Sequence, residues 1–144
     1  MIQTVAVGTD GSGTADKAVE WAIEMAARYE ARIVFISAYV PVRESRLQRE
    51  ARDAPEDLQW TINPAEDVDA TLRECEERAE QKGLRWASEA REGDPAKILV
   101  DLAASNDADV LVIGNKGMQR KVLGSVPNTV SHKADCSVVI VKTT

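Results

Sequence analysis

Five short apolar runs alternate with helix-period segments along the whole chain, and few folds accommodate that alternation. The runs are Thr4 to Gly8 (TVAVG), Arg32 to Val40 (RIVFISAYV), Leu84 to Glu92 (LRWASEARE), Asp109 to Gly114 (DVLVIG) and Ser137 to Thr143 (SVVIVKT). Each is short, four of the five are rich in β-branched residues, and turn formers such as TDGSG follow the first, as expected of strands. Between the first two, Ala15, Ala18, Val19, Ala22, Ile23 and Ala26 recur at three- and four-residue steps and predict a helix running to about Tyr29. Val68, Leu72, Cys75 and Ala79 form a second stripe that stops at Gly83. Asp94 followed by Pro95 is an N-cap with proline at the first helical position, ahead of inward-facing Ile98, Leu99 and Leu102. SVPNTVSHKA, from Ser125, reads as a short last helix.

Strand and helix alternating in this way call for an α/β domain: a mostly parallel sheet, right-handed crossovers and helices on both faces. The second run is apolar at nearly every position, which suits a strand covered on both sides. LRWASEARE alternates in character and is placed at or near an edge. From Pro41 to Pro64 the pattern dissolves into charge, with prolines at 41, 55 and 64, and no structure is assigned there. In sheets of this kind a ligand sits beyond the carboxyl ends of the strands, where the winding direction reverses. That directs attention to the loops after strands one, two and four.

With 144 residues the chain fits one domain, 1–144, able to bury a core without metal or disulfide staples. A net charge of −6 disfavours a nucleic-acid partner, since phosphate backbones are held by surplus Lys and Arg. No window approaches the roughly 18 uninterrupted apolar residues of a membrane span, so no membrane partner is expected and the chain is placed in the cytoplasm. Cys75 and Cys136 form no CxxC pair and read as small buried hydrophobes in a reducing compartment. One histidine, His132, is too few for a typical zinc site. Trp21, Trp60 and Trp86 are widely spaced and build no stacking platform with basic residues. Trp21 lies off the alanine stripe, which predicts partial burial, and Trp60 is expected to pin the long connection.

After strand one comes GTDGSGT. Its glycines, 8, 11 and 13, do not have the GxGxxG spacing, and Asp10 brings negative charge where a pyrophosphate would lie, so dinucleotide binding is rejected. No GxxxxGK[ST] occurs in the chain. Asp10 has two readings: it accepts hydrogen bonds from an amino group or sugar hydroxyls, or Asp10 or Ser12 caps the first helix. After strand four, GNKGMQRKVLGS combines Gly114 and Gly117, which permit close backbone approach, with Gly124 and Ser125 at the start of the last helix, where the macrodipole favours an anion. Lys116, Arg120 and Lys121 add positive charge. The residues support two readings equally: a phosphate cradle, or a strand end, an N-cap and a solvated turn. Pro127 removes one N–H from the first turn of that helix.

Taken together, VAVGTDGS, GNKGM, LGSVPNTVSHKADCSVVIV and the order of elements resemble the universal stress protein family, its small single-domain members, over the whole chain. The resemblance implies a five-stranded parallel sheet in the order 3-2-1-4-5, adenine-nucleotide alpha hydrolase-like, and a homodimer through the last strand, Ser137 to Lys142. It also implies an adenine nucleotide, ATP, AMP or cyclic AMP, with Mg2+ only alongside ATP, held as a sensor or buffer of stress. Carried over residue by residue, Thr9 and Asp10 would lie by adenine and ribose, and Ala38 would give backbone contacts to the base. Gly114, Lys116 and Gly117 would stand by ribose and the first phosphate; Gly124 and Ser125 would hold the remaining phosphates.

Nucleotide-binding members carry GxxG, nine residues, then G[ST]; here only six residues, Met118 to Leu123, stand between Gly117 and Gly124. Three residues fewer shorten the contour by about 10 Å. On physical grounds a monophosphate or cyclic nucleotide loses less by this than a triphosphate. The competing reading keeps fold and dimer but makes the molecule an interaction module without nucleotide. Catalysis finds no support. Ser125 and His132, the one Ser and His pair worth naming, stand two helical turns apart, about 10 Å, beyond hydrogen-bond reach, and His132 is expected at the surface or facing a dimer partner. At most a slow ATPase would remain.

Overall fold

The computed structural model describes residues 1–39, 65–115 and 125–143. The connection from Pro41 to Pro64, Trp60, and the sequence candidates Lys116, Gly117 and Gly124 lie outside the described residues. Five strands, β1 (Thr4–Gly8), β2 (Arg32–Tyr39), β3 (Trp86–Glu92), β4 (Val110–Gly114) and β5 (Ser137–Val141), form one sheet in the order β3-β2-β1-β4-β5. All four pairings are parallel, as the alternation requires. Among the described residues four helices connect them: α1 (Gly13–Tyr29), α2 (Ala65–Gln81), α3 (Pro95–Ser105) and α4 (Ser125–Lys133). Among the described residues no helix is long and apolar enough to cross a membrane.

The two faces of the sheet are divided by strand periodicity. Val5 and Val7 of β1 point with Ile33, Phe35, Val110 and Val112 toward α1 and α2, while Ala6, Val34, Ile36, Leu111 and Ile113 point toward α3 and α4. Alternation by two thus feeds both cores from the same strands. The buried face of α1 is largely alanine, which lets that helix lie close on the sheet. Trp21 lies off this face and keeps 40 % of its surface exposed.

Strand boundaries differ from the sequence reading at three places. β3 begins at Trp86 because Gly83, at φ 70°, turns the chain and the Leu84 N–H bonds back to the Ala79 carbonyl at 3.0 Å, closing α2. β4 begins at Val110, one residue after Asp109, whose N–H already reaches the Thr4 carbonyl at 2.9 Å and whose carboxylate accepts the N–H groups of Gln3 (2.8 Å) and Thr4 (3.0 Å), tying the start of β1 to that of β4. β5 ends at Val141, since Thr143 turns toward Asn115. β3 occupies one edge, where its alternating character placed it.

Candidate functional site

The switch point follows from the strand order. From β1 the chain crosses through α1 to β2; from β4 it crosses through α4 to β5, on the other side. Winding therefore reverses between β1 and β4, with α1 rising on one face and α4 on the other. Thr9 and Asp10 follow β1, Gly114 ends β4, and Ala38 lies near the end of β2, so three neighbouring strands deliver these sequence candidates to one end of the sheet. Ser125 opens α4 and is exposed.

The β1 turn is held by its own polar groups. Thr9 is buried, and its N–H reaches the Ile36 carbonyl at 2.9 Å, extending the β1–β2 ladder by one residue. Its hydroxyl accepts from Gly11 N–H at 3.2 Å, and the Asp10 carboxylate accepts from Ser12 N–H at 2.9 Å. The helix cap falls to Ser12: its side chain accepts from Ala15 N–H at 3.1 Å with an extended backbone, φ −74° and ψ 163°. Asp10 instead shapes the turn that precedes the cap. Gly11, at φ 81°, supplies the left-handed step this turn needs, and a Cβ there would stand 2.7 Å from Thr71 Oγ1.

Opposite, Gly114 lies against the first turn of α1. A Cβ at Gly114 would meet the Thr14 carbonyl oxygen at 3.4 Å and Thr143 Cγ2 at 3.5 Å, ordinary contact distances, so the end of β4 packs beside the first turn of α1 and Thr143. Asn115, 1 % exposed, continues from it: its N–H bonds to the Val141 carbonyl at 3.0 Å, and its Oδ1 accepts from Thr143 N–H (2.8 Å) and Thr143 Oγ1 (2.6 Å). The sequence reading missed Asn115, Thr143 and Thr14. A polar side chain directly after a fully apolar strand, as in VLVIGN, was the available signal for Asn115; nothing local marks Thr143, which comes from the far end of the chain.

A hollow of about 230 Å3 opens beside the first turn of α1, lined by Gly11, Ser12, Gly13, Asp16, Thr71, Glu74, Cys75 and Arg78. Arg78 pairs with Asp16 there and lies 3.9 Å from Glu20, stitching α2 to α1. Cys75 is buried, and burial pushes its thiol up to about 11, which leaves it protonated and inert at neutral pH. A larger hollow, about 640 Å3, lies farther along the α1–α2 seam between Glu20 and Lys82, among exposed charges. Ser125 and His132 are both exposed on α4. Among the described residues no group of three His, Cys, Asp or Glu side chains is placed to hold a metal ion.

Known proteins are similar to this chain in sequence and fold. The sequence model of the universal stress protein family matches residues 1–142. Universal stress protein Rv1636 of Mycobacterium tuberculosis is 36% identical over 146 residues, covering 99% of this chain and 97% of its own length. A universal stress protein solved in complex with cAMP is 33% identical, with a TM-score of 0.75, covering 99% of this chain and 98% of that one. An Arabidopsis thaliana family protein with AMP bound shares the fold at 16% identity and a TM-score of 0.67, with 99% and 92% covered.

Proposed function

Since the chain belongs to the universal stress protein family, we propose that it binds an adenine nucleotide at the switch point between β1 and β4, as a sensor or buffer and not as a dedicated enzyme. The observation that carries the reading is the convergence there of both motif halves: the Thr9–Asp10 turn after β1, and Gly114 laid against Thr14 after β4. In this reading Thr9, Asp10 and Ala38 line adenine and ribose, Gly114 approaches the sugar, and Ser125 offers the first turn of α4 to phosphate. Lys116, Gly117 and Gly124 join the site on their sequence motif alone. The family relative in complex with cAMP supports a small adenylate as ligand. The six-residue spacing between Gly117 and Gly124 favours AMP or cyclic AMP over ATP, which would bring Mg2+. We extend the reading to a homodimer through β5, an edge strand whose Val138, Val139, Ile140 and Val141 are only half-buried, and to the cytoplasm, where two unpaired cysteines are at home.

A second reading is favoured by one feature of the site. Thr9 and Asp10 already satisfy the turn's own N–H groups, as they would in a pure interaction module. Thermal unfolding in the presence of ATP, ADP, AMP and cyclic AMP separates the two. A ligand that binds only the folded state adds about 2.7 kcal/mol at a hundred times its Kd. We expect a concentration-dependent rise in melting temperature with AMP or cyclic AMP, abolished in Gly124→Val. A flat response to all four nucleotides would leave the interaction module standing.

A further inference from the structure

Gly114 stands beside Thr14 and Thr143, whose carbonyl oxygen and Cγ2 a Cβ there would meet at 3.4 and 3.5 Å, and the next residue, Asn115, is fastened to that same Thr143 by two hydrogen bonds of 2.8 and 2.6 Å to one side-chain oxygen. Both partners are almost fully buried, Asn115 at 1 % and Thr143 at 6 % exposure. The Thr143 carbonyl in turn accepts Lys17 Nζ of α1 at 3.2 Å. Hydrogen bonds in such an environment are strong, and removing the hydroxyl would leave the Asn115 oxygen only the Thr143 N–H of these two donors. The chain at the end of β4 is therefore tied to a residue from beyond β5, itself anchored to α1.

We propose that Asn115 and Thr143 are positioning residues for nucleotide binding: they form a latch that holds the Gly114 backbone at the distance an adenylate requires. The inference rests on the nucleotide reading above. A latch partly open lowers the fraction of molecules competent to bind, and the apparent Kd rises by the same factor.

The test is calorimetric titration of the full chain with AMP and with cyclic AMP. Thr143→Val keeps the shape of the side chain and removes the hydroxyl donor; loss of one such bond should raise Kd about three- to tenfold. Thr143→Ser, which restores the hydroxyl and lacks only the methyl, should return Kd to within about twofold of the parent. A purely structural role would lower the melting temperature of Thr143→Val and leave the Kd of the folded protein unchanged, and that result overturns the proposal. Should Thr143→Val fail to fold, exposed Lys17→Met acts on the same threonine through its carbonyl and should raise Kd about twofold; an unchanged Kd there also counts against the latch. If the parent chain binds neither adenylate, the nucleotide reading itself fails and the latch falls with it.

Discussion

Asp109 shows how much a single exposed side chain can organise. Standing just before β4, it accepts backbone N–H groups from Gln3 and Thr4, and those bonds, the Gln3 one foremost, hold its carboxyl below the usual aspartate range. A depressed folded value means the stabilisation is fully present above the unfolded value of about 3.9 and is lost as pH falls through the lower, folded one. Asp109→Ala should therefore differ from the parent in urea midpoint at pH 6 and converge with it in strong acid. A gap that persists unchanged to pH 2 would show that the contact does not work through charge. At this scale the sequence left Asp10 and Ser12 as equal candidates for the α1 cap, because both residue types accept N–H groups. The three-residue offset to Ala15 gave the role to Ser12.

The elements carry their own start signals to different degrees. Asp94 and Pro95 marked α3 from the sequence, and Asp94 does accept Lys97 N–H at 3.0 Å with Pro95 at the start of the helix. Replacing Asp94 or Ser12 by alanine should cost about 1 kcal/mol each in denaturant unfolding, and the double variant should show the sum, since the two caps share no partner. Asp94 lies outside the proposed cleft, so Asp94→Ala should leave adenylate affinity untouched. The start of β3 was harder to read. Leu84 is apolar and looked like strand, yet its N–H serves to close α2, and whether an apolar residue caps or pairs depends on the turn that Gly83 sets before it.

Over the whole molecule, one sheet serves two cores. Phe35 anchors the α1–α2 side and Leu99 the α3–α4 side, and both have no exposed surface. Leu99→Ala should cost about 2–5 kcal/mol and Phe35→Ala about 3–5 kcal/mol. Because β1, β2 and β4 contribute to both cores, either variant should still unfold in one cooperative transition seen alike by near- and far-ultraviolet circular dichroism. Two separated transitions would mean the faces fold independently. The alternation of apolar runs and helical stripes determined the parallel α/β architecture, the two-sided burial and the edge position of β3, because periodicities of two and 3.6 are local properties that survive in the bare sequence. Which residues fasten the end of β4 was decided only in three dimensions. Thr14, Asn115 and Thr143 are brought together by strand order and crossover, and a hydrogen bond between residues 28 positions apart leaves no trace in the spacing of either.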